Sequence, residues 1–163
     1  MKTKIISLFL LLLVNFTWAQ NNKVQIYNPQ IDAEKELSEA IQQAKKENKH
    51  ILIQIGGNWC PWCIKLHGYF KEEPKVDSLL KADFIFVKIN YSKENKNLPL
   101  MKKLDYPQRF GFPVLVILDA SGKRLHTQDS GMLESGKGYD KEKVFRFLKC
   151  WNPKALNPEF YLK

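Results

Sequence analysis

The first regular hydrophobic pattern begins at Asp32, placed as a helix N-cap. Ala33, Leu37, Ala40, Ile41 and Ala44 follow at helical spacing, which predicts an amphipathic helix over roughly 32–47. Ile51 to Ile55 is apolar on both faces except for Gln54, the pattern of a central strand covered from above and below. Gly56 and Gly57 end it, and a helix is expected from about Cys60 to Phe70. Pro74 interrupts, with a further turn or two of helix at Val76, Leu79 and Leu80. Phe84 to Ile89 reads as a second strand, Leu98 to Leu104 as a short helix and Val114 to Leu118 as a third strand. Asp119-Ala120-Ser121-Gly122 is a turn into an edge strand, Lys123 to Gln128. A glycine-bearing loop over 129–139 precedes a last helix capped by Asp140. Val144, Phe147, Leu148 and Trp151 form its apolar face. The first half therefore supplies crossover units and parallel strands, the second half a hairpin. The expected class is α/β: a mixed four- to five-stranded sheet flanked by helices.

What precedes residue 32 carries different information. Lys2 and Lys4 lead an unbroken apolar run, Ile5 to Val14, and Thr17 and Ala19 sit at the −3 and −1 positions of a cleavage site. Residues 1–19 read as a signal peptide, because the run is well short of the roughly 20 residues of a membrane span. Residues 20–31 are then an N-terminal extension, 32–151 the domain and 152–163 a tail. An exported protein, periplasmic or extracellular, is expected. The formal charge of +9 comes from scattered lysines with no nucleic-acid motif beside them. A soluble basic surface and a monomer are expected, with no nucleic-acid partner.

The chemistry lies in the cysteines. There are 3, an odd number that argues against a purely structural disulfide framework. Cys60 and Cys63 form a Cys-x-x-Cys pair directly after a buried strand and at the opening of a helix, the redox placement of this motif. Cys60 falls where backbone N–H groups are unpaired and the helix dipole is positive, which favours a thiolate. Cys63, one turn in, is shielded and placed to resolve a mixed disulfide. Pro61 fits the first turn, where its missing N–H costs little. A metal reading needs two more ligands. His67 shares the helix face and Cys150 is remote, on a helix expected across the sheet, so no metal site and no cofactor are assigned. His67 is expected as a surface residue and Cys150 as a buried core cysteine rather than a third redox centre.

The run Trp59-Cys60-Pro61-Trp62-Cys63 resembles the Trp-Cys-x-x-Cys site of the thioredoxin family. Arg109-Phe110-Gly111-Phe112-Pro113-Val114 is similar to that family's Gly-x-Pro loop. The resemblance covers about 32–151 and implies a thioredoxin-like fold, with a cis Phe112–Pro113 bond beside the dithiol. It implies thiol–disulfide exchange in which Cys60 attacks, Cys63 resolves and Trp59, Pro61, Trp62, Phe112 and Pro113 shape the substrate groove. Substrates would be exported proteins or small disulfides, with a membrane electron donor as redox partner. A non-catalytic binding module or a copper or zinc carrier is the alternative. Two departures bear on the chemistry. Gln54 stands where thioredoxins carry a buried proton-relaying aspartate. Trp62 stands where strong oxidants carry a histidine, which points to a reductase or isomerase. Lys88 either faces the dithiol, where it would tune it, or runs out to solvent. The aromatic group Trp59, Trp62, Phe110 and Phe112 forms either an apolar rim or core.

Overall fold

The computed structural model describes residues 24–162; the expected signal peptide lies outside them. Helix α1 spans Ala33–Glu47, with the Asp32 side chain accepting from the Lys35 amide and Asn48 closing it in a left-handed conformation. Strand β1 follows at His50–Gly56, then α2 at Pro61–Glu72, α3 at Pro74–Asp83 and β2 at Phe84–Asn90. Helix α4 is Leu98–Lys103, and a single 3-10 turn, Pro107–Phe110, leads to β3 at Val114–Leu118. Strand β4 is Arg124–Asp129, a small hairpin pairs β5 (Glu134–Ser135) with β6 (Gly138–Tyr139), and α5 is Lys141–Cys150.

The main sheet has 4 strands in the order β2-β1-β3-β4. Strand β1 runs parallel to β2 and antiparallel to β3, and β3 is antiparallel to β4. The mixed sheet and the central place of β1 agree with the sequence reading. Alternation along the strands divides the core. Ile51, Ile53, Ile55, Val87, Ile89, Val114 and Val116 pack with α1 and α4 on one face. Leu52, Phe84, Leu115 and Ile117 pack with α2, α3 and α5 on the other. Each fully buried Ile or Leu contributes about 1.5–3 kcal/mol relative to exposure. No helix of the described residues is long and apolar enough to cross a membrane.

The structure departs from the expected elements in two places. Pro74 does not merely interrupt a helix. It occupies the first turn of α3, a helix of 10 residues, where its missing N–H is one that would be unpaired anyway. The stretch 129–139 is not all loop, since it folds into a 3-10 turn and the β5–β6 hairpin. Within the N-terminal extension, Tyr27 is 3% exposed and belongs to the site described next.

Candidate active site

Strand β1 ends at the double glycine, and Cys60 becomes the N-cap of α2 in an extended conformation. Its Sγ accepts a hydrogen bond from the Cys63 amide at 3.1 Å. A sulfur in that position takes the place of a capping oxygen and meets the positive end of the helix. Cys60 and Cys63 are joined as a disulfide, with Cα atoms 5.2 Å apart. Cys63 is fully buried and Cys60 nearly so. Pro61 sits in the first turn of α2, as expected. The Phe112–Pro113 bond is cis, and Phe112 packs against the cluster formed by Tyr27, Cys60 and Cys63.

Of the aromatic residues, Trp59 and Phe110 are exposed and Trp62 and Phe112 half-buried, so they form a rim rather than core. Trp59 is 56% exposed, donates from Nε1 to the Tyr91 carbonyl at 2.8 Å and meets Phe112 edge-on at 5.4 Å. Tyr91 lies over Phe112 at 4.9 Å between centroids. Phe110 is exposed beneath the Arg109 guanidinium. Trp62 is half-buried, edge-on to Tyr139 at 5.5 Å, with the Lys65 ammonium 4.3 Å from its ring. A groove beside Trp59 is lined by Gln25, Asn58, Asn90, Tyr91 and Lys96.

Gln54 is fully buried on the α2 face of β1. Its Nε2 donates to the Tyr27 hydroxyl at 2.7 Å and to the Cys63 carbonyl at 2.9 Å. Lys88 pairs with Gln54 in the β1–β2 register and is half-buried, its Nζ 5.6 Å from the Phe86 ring. Burial, then the Lys71 charge, hold its pKa below the ordinary lysine value.

His67 does not lie on the surface as expected. Cys63, Leu66, His67 and Phe70 form the buried stripe of α2, and the imidazole stacks on Phe86 of β2 at 6.1 Å. Burial and the charges of Lys88 and Lys71 push its pKa down to about 4. Cys150 also departs from expectation: it is unpaired and exposed, because α5 turns Val144, Phe147 and Leu148 inward instead. Among the described residues, no group of three or more His, Cys, Asp or Glu side chains is placed to hold a metal ion.

Two residues of the site carried no expectation. Asn58 ties the N-terminal segment to the motif: its Oδ1 accepts from the Ile26 and Tyr27 amides at 2.8 and 3.0 Å, and its Nδ2 donates to the Tyr27 carbonyl at 2.8 Å. Tyr27, so held, reaches under the strand end to Gln54. The signal for Asn58 was its place two residues before Cys60; Tyr27 sits in a polar stretch without period.

A buried disulfide capping the helix after a central strand, with a cis-proline loop against it, defines a dithiol–disulfide protein. The sequence pattern of the thioredoxin-like family matches residues 32–120, and the chain belongs to that family. It is 31% identical to the disulfide bond reductase DsbH of Chlamydia pneumoniae over 54% of this chain and 57% of that protein. It is 29% identical to the thiol:disulfide interchange protein DsbD of Salmonella typhi, over 54% of this chain and 15% of that protein. The chain thus spans little more than half the length of the first relative and a small part of the second. A disulphide isomerase from Xylella fastidiosa Temecula1 superimposes with a TM-score of 0.68 at 25% identity, covering 77% of this chain and 95% of that one.

Proposed function

We propose that the protein carries out thiol–disulfide exchange outside the cytoplasm, as a reductase or isomerase rather than a strong oxidant. The observation that carries this reading is Cys60 at the N-cap of α2, its sulfur both bonded to Cys63 and receiving the Cys63 amide. On reduction the same amide and the helix end stabilise a Cys60 thiolate, the attacking form. Cys63, fully buried behind it, resolves the mixed disulfide. Trp59 and Phe112 form the apolar rim against which a substrate rests, and Pro113 holds that loop beside the sulfurs. Substrates are exported proteins or small disulfides, and a membrane electron donor returns the pair to the dithiol.

The case against strong oxidation rests on Trp62. It puts an indole between the cysteines where a cation would favour the thiolate, and the nearby Lys65 charge lies over that ring. The names of the relatives, a disulfide bond reductase and a disulphide isomerase, point the same way.

The test is insulin reduction with dithiothreitol, together with the reduction potential of the Cys60–Cys63 pair. Insulin should precipitate faster with the protein than without it, and Cys60→Ser should lose the effect. The potential should lie below about −120 mV, the figure for a strong oxidant of this fold. A protein inert towards insulin that purifies with copper or zinc would overturn the reading in favour of a metal carrier.

A further inference from the structure

The dithiol is covered from behind by the N-terminal segment, and the covering group is a phenol. Tyr27 is 3% exposed and shares one cluster with Cys60 and Cys63. A Cβ added at Gly56 would lie 2.9 Å from Tyr27 Oη and 3.3 Å from Cys63 Cβ, and would overlap the Cys63 sulfur. The phenol oxygen and the Cys63 sulfur therefore converge on one methyl-sized volume above Gly56. The phenol oxygen already accepts a hydrogen bond from Gln54 Nε2 at 2.7 Å. Its own hydrogen is thus turned away from Gln54, and among the described residues no nitrogen or oxygen accepts it. A buried donor of this kind is costly to leave unmade.

We propose that Tyr27 is a positioning residue for the resolving cysteine, its hydroxyl donating to the Cys63 thiolate when the Cys60–Cys63 bond is open. The idea rests on the exchange reading above. In that cycle the Cys60 thiolate attacks a substrate disulfide, so one substrate S–S bond breaks, a Cys60–substrate bond forms and the first substrate thiolate leaves. Cys63 must then lose its proton and attack the Cys60 sulfur. The Cys60–Cys63 bond forms, the second substrate thiolate leaves, and the proton shed by Cys63 ends on a departing thiolate. The substrate gains two electrons and the dithiol loses two.

Neither neighbour of Cys63 can take that proton. Gln54 has no basic atom, and burial raises the Tyr27 pKa well above the ordinary phenol value, so the phenol stays protonated and serves as a donor. Its contribution is to make the Cys63 anion less unfavourable in an apolar site, the task that a single hydrogen bond to a charge performs. The other titrating groups on the elements packed around Cys63 are Cys60, His67 one turn further along α2, Lys88 opposite Gln54 on β2, and Tyr139 of β6; burial lowers the pKa of His67 and Lys88 and raises that of Tyr139.

Tyr27→Phe keeps the ring and removes the hydroxyl. In the reduced protein, the NMR shift of Cys63 Cβ is followed against pH, with Cys60 Cβ as internal comparison. The Cys63 midpoint should rise in the variant, leaving about tenfold less thiolate at a given pH, while that of Cys60 stays. A Cys63 midpoint that does not move, or falls, overturns the proposal. Should phenylalanine at 27 prevent folding, the same titration is made on Tyr27→Leu, which also lacks the hydroxyl and leaves the Gln54 amide on the Cys63 carbonyl; an unmoved midpoint there overturns it equally. Insulin reduction run alongside separates the two claims. An inert wild type with a moved Cys63 midpoint rejects the exchange reading and upholds Tyr27; an active wild type with an unmoved midpoint rejects Tyr27 alone.

Discussion

Gly56 is the residue on which the site closes, since its missing side chain leaves the space that the Cys63 sulfur and the Tyr27 hydroxyl share. The two cysteines on this small stage have unequal surroundings. Cys60 sits at the helix end and receives an amide; Cys63 is fully buried behind it. Cys63→Ser should therefore accumulate mixed disulfides with envelope proteins, because attack proceeds and resolution does not, and Cys60→Ser should trap almost none. Non-reducing gels of the two variants make the comparison, and equal trapping by both would reject the assigned roles. The pair itself was legible in the sequence, because spacing, the preceding strand and the helix start coincide within a few residues. Tyr27 was not, because it and Gln54 are neighbours only through tertiary packing. Nothing local to Tyr27-Asn28-Pro29 distinguishes a buried phenol from an exposed one.

At the scale of elements, α2 carries the most information. Sequence spacing puts Cys60, Cys63 and His67 on one face of it, yet points to the surface for His67. The structure buries it against Phe86 and leaves its Nδ1 without a partner among the described residues. This has a consequence for stability. The folded-state pKa of about 4 lies below the ordinary histidine value of 6.5, so the unfolded chain binds the proton more readily. The contribution of His67 is fully present above about pH 6.5 and is lost as pH falls towards 4. His67→Phe, which keeps the stacking on Phe86, should flatten that decline; urea midpoints of both proteins across this range measure it. Strands β1, β2 and β3 were legible because apolar runs between glycines and polar turns leave few alternatives. The two-residue strands of the β5–β6 hairpin are too short to show any period, and Pro74 signals the start of a helix as readily as its end.

For the whole molecule, the fold class was legible from the order of elements alone, because parallel β1–β2 and antiparallel β3–β4 follow from a crossover and a tight turn. The role of the chain's beginning was less so. The signal peptide reading predicts a mature protein starting close to Gln20, and intact mass of the protein from the native envelope checks it; full-length protein held in the membrane would count against export. Asn58 clasps residues 26 and 27 through three hydrogen bonds, immediately before the motif that it precedes in sequence. The chain thus enters the fold through the back wall of its own reactive centre. An affinity tag, a fluorescent protein or a partner domain joined directly ahead of Val24 would be attached two residues from the segment that Asn58 clasps beside the dithiol. The tail, where Tyr161 and Leu162 are exposed, is the better place for such a fusion, and preparations tagged at the front should be compared with ones tagged at the tail before their redox behaviour is taken as native.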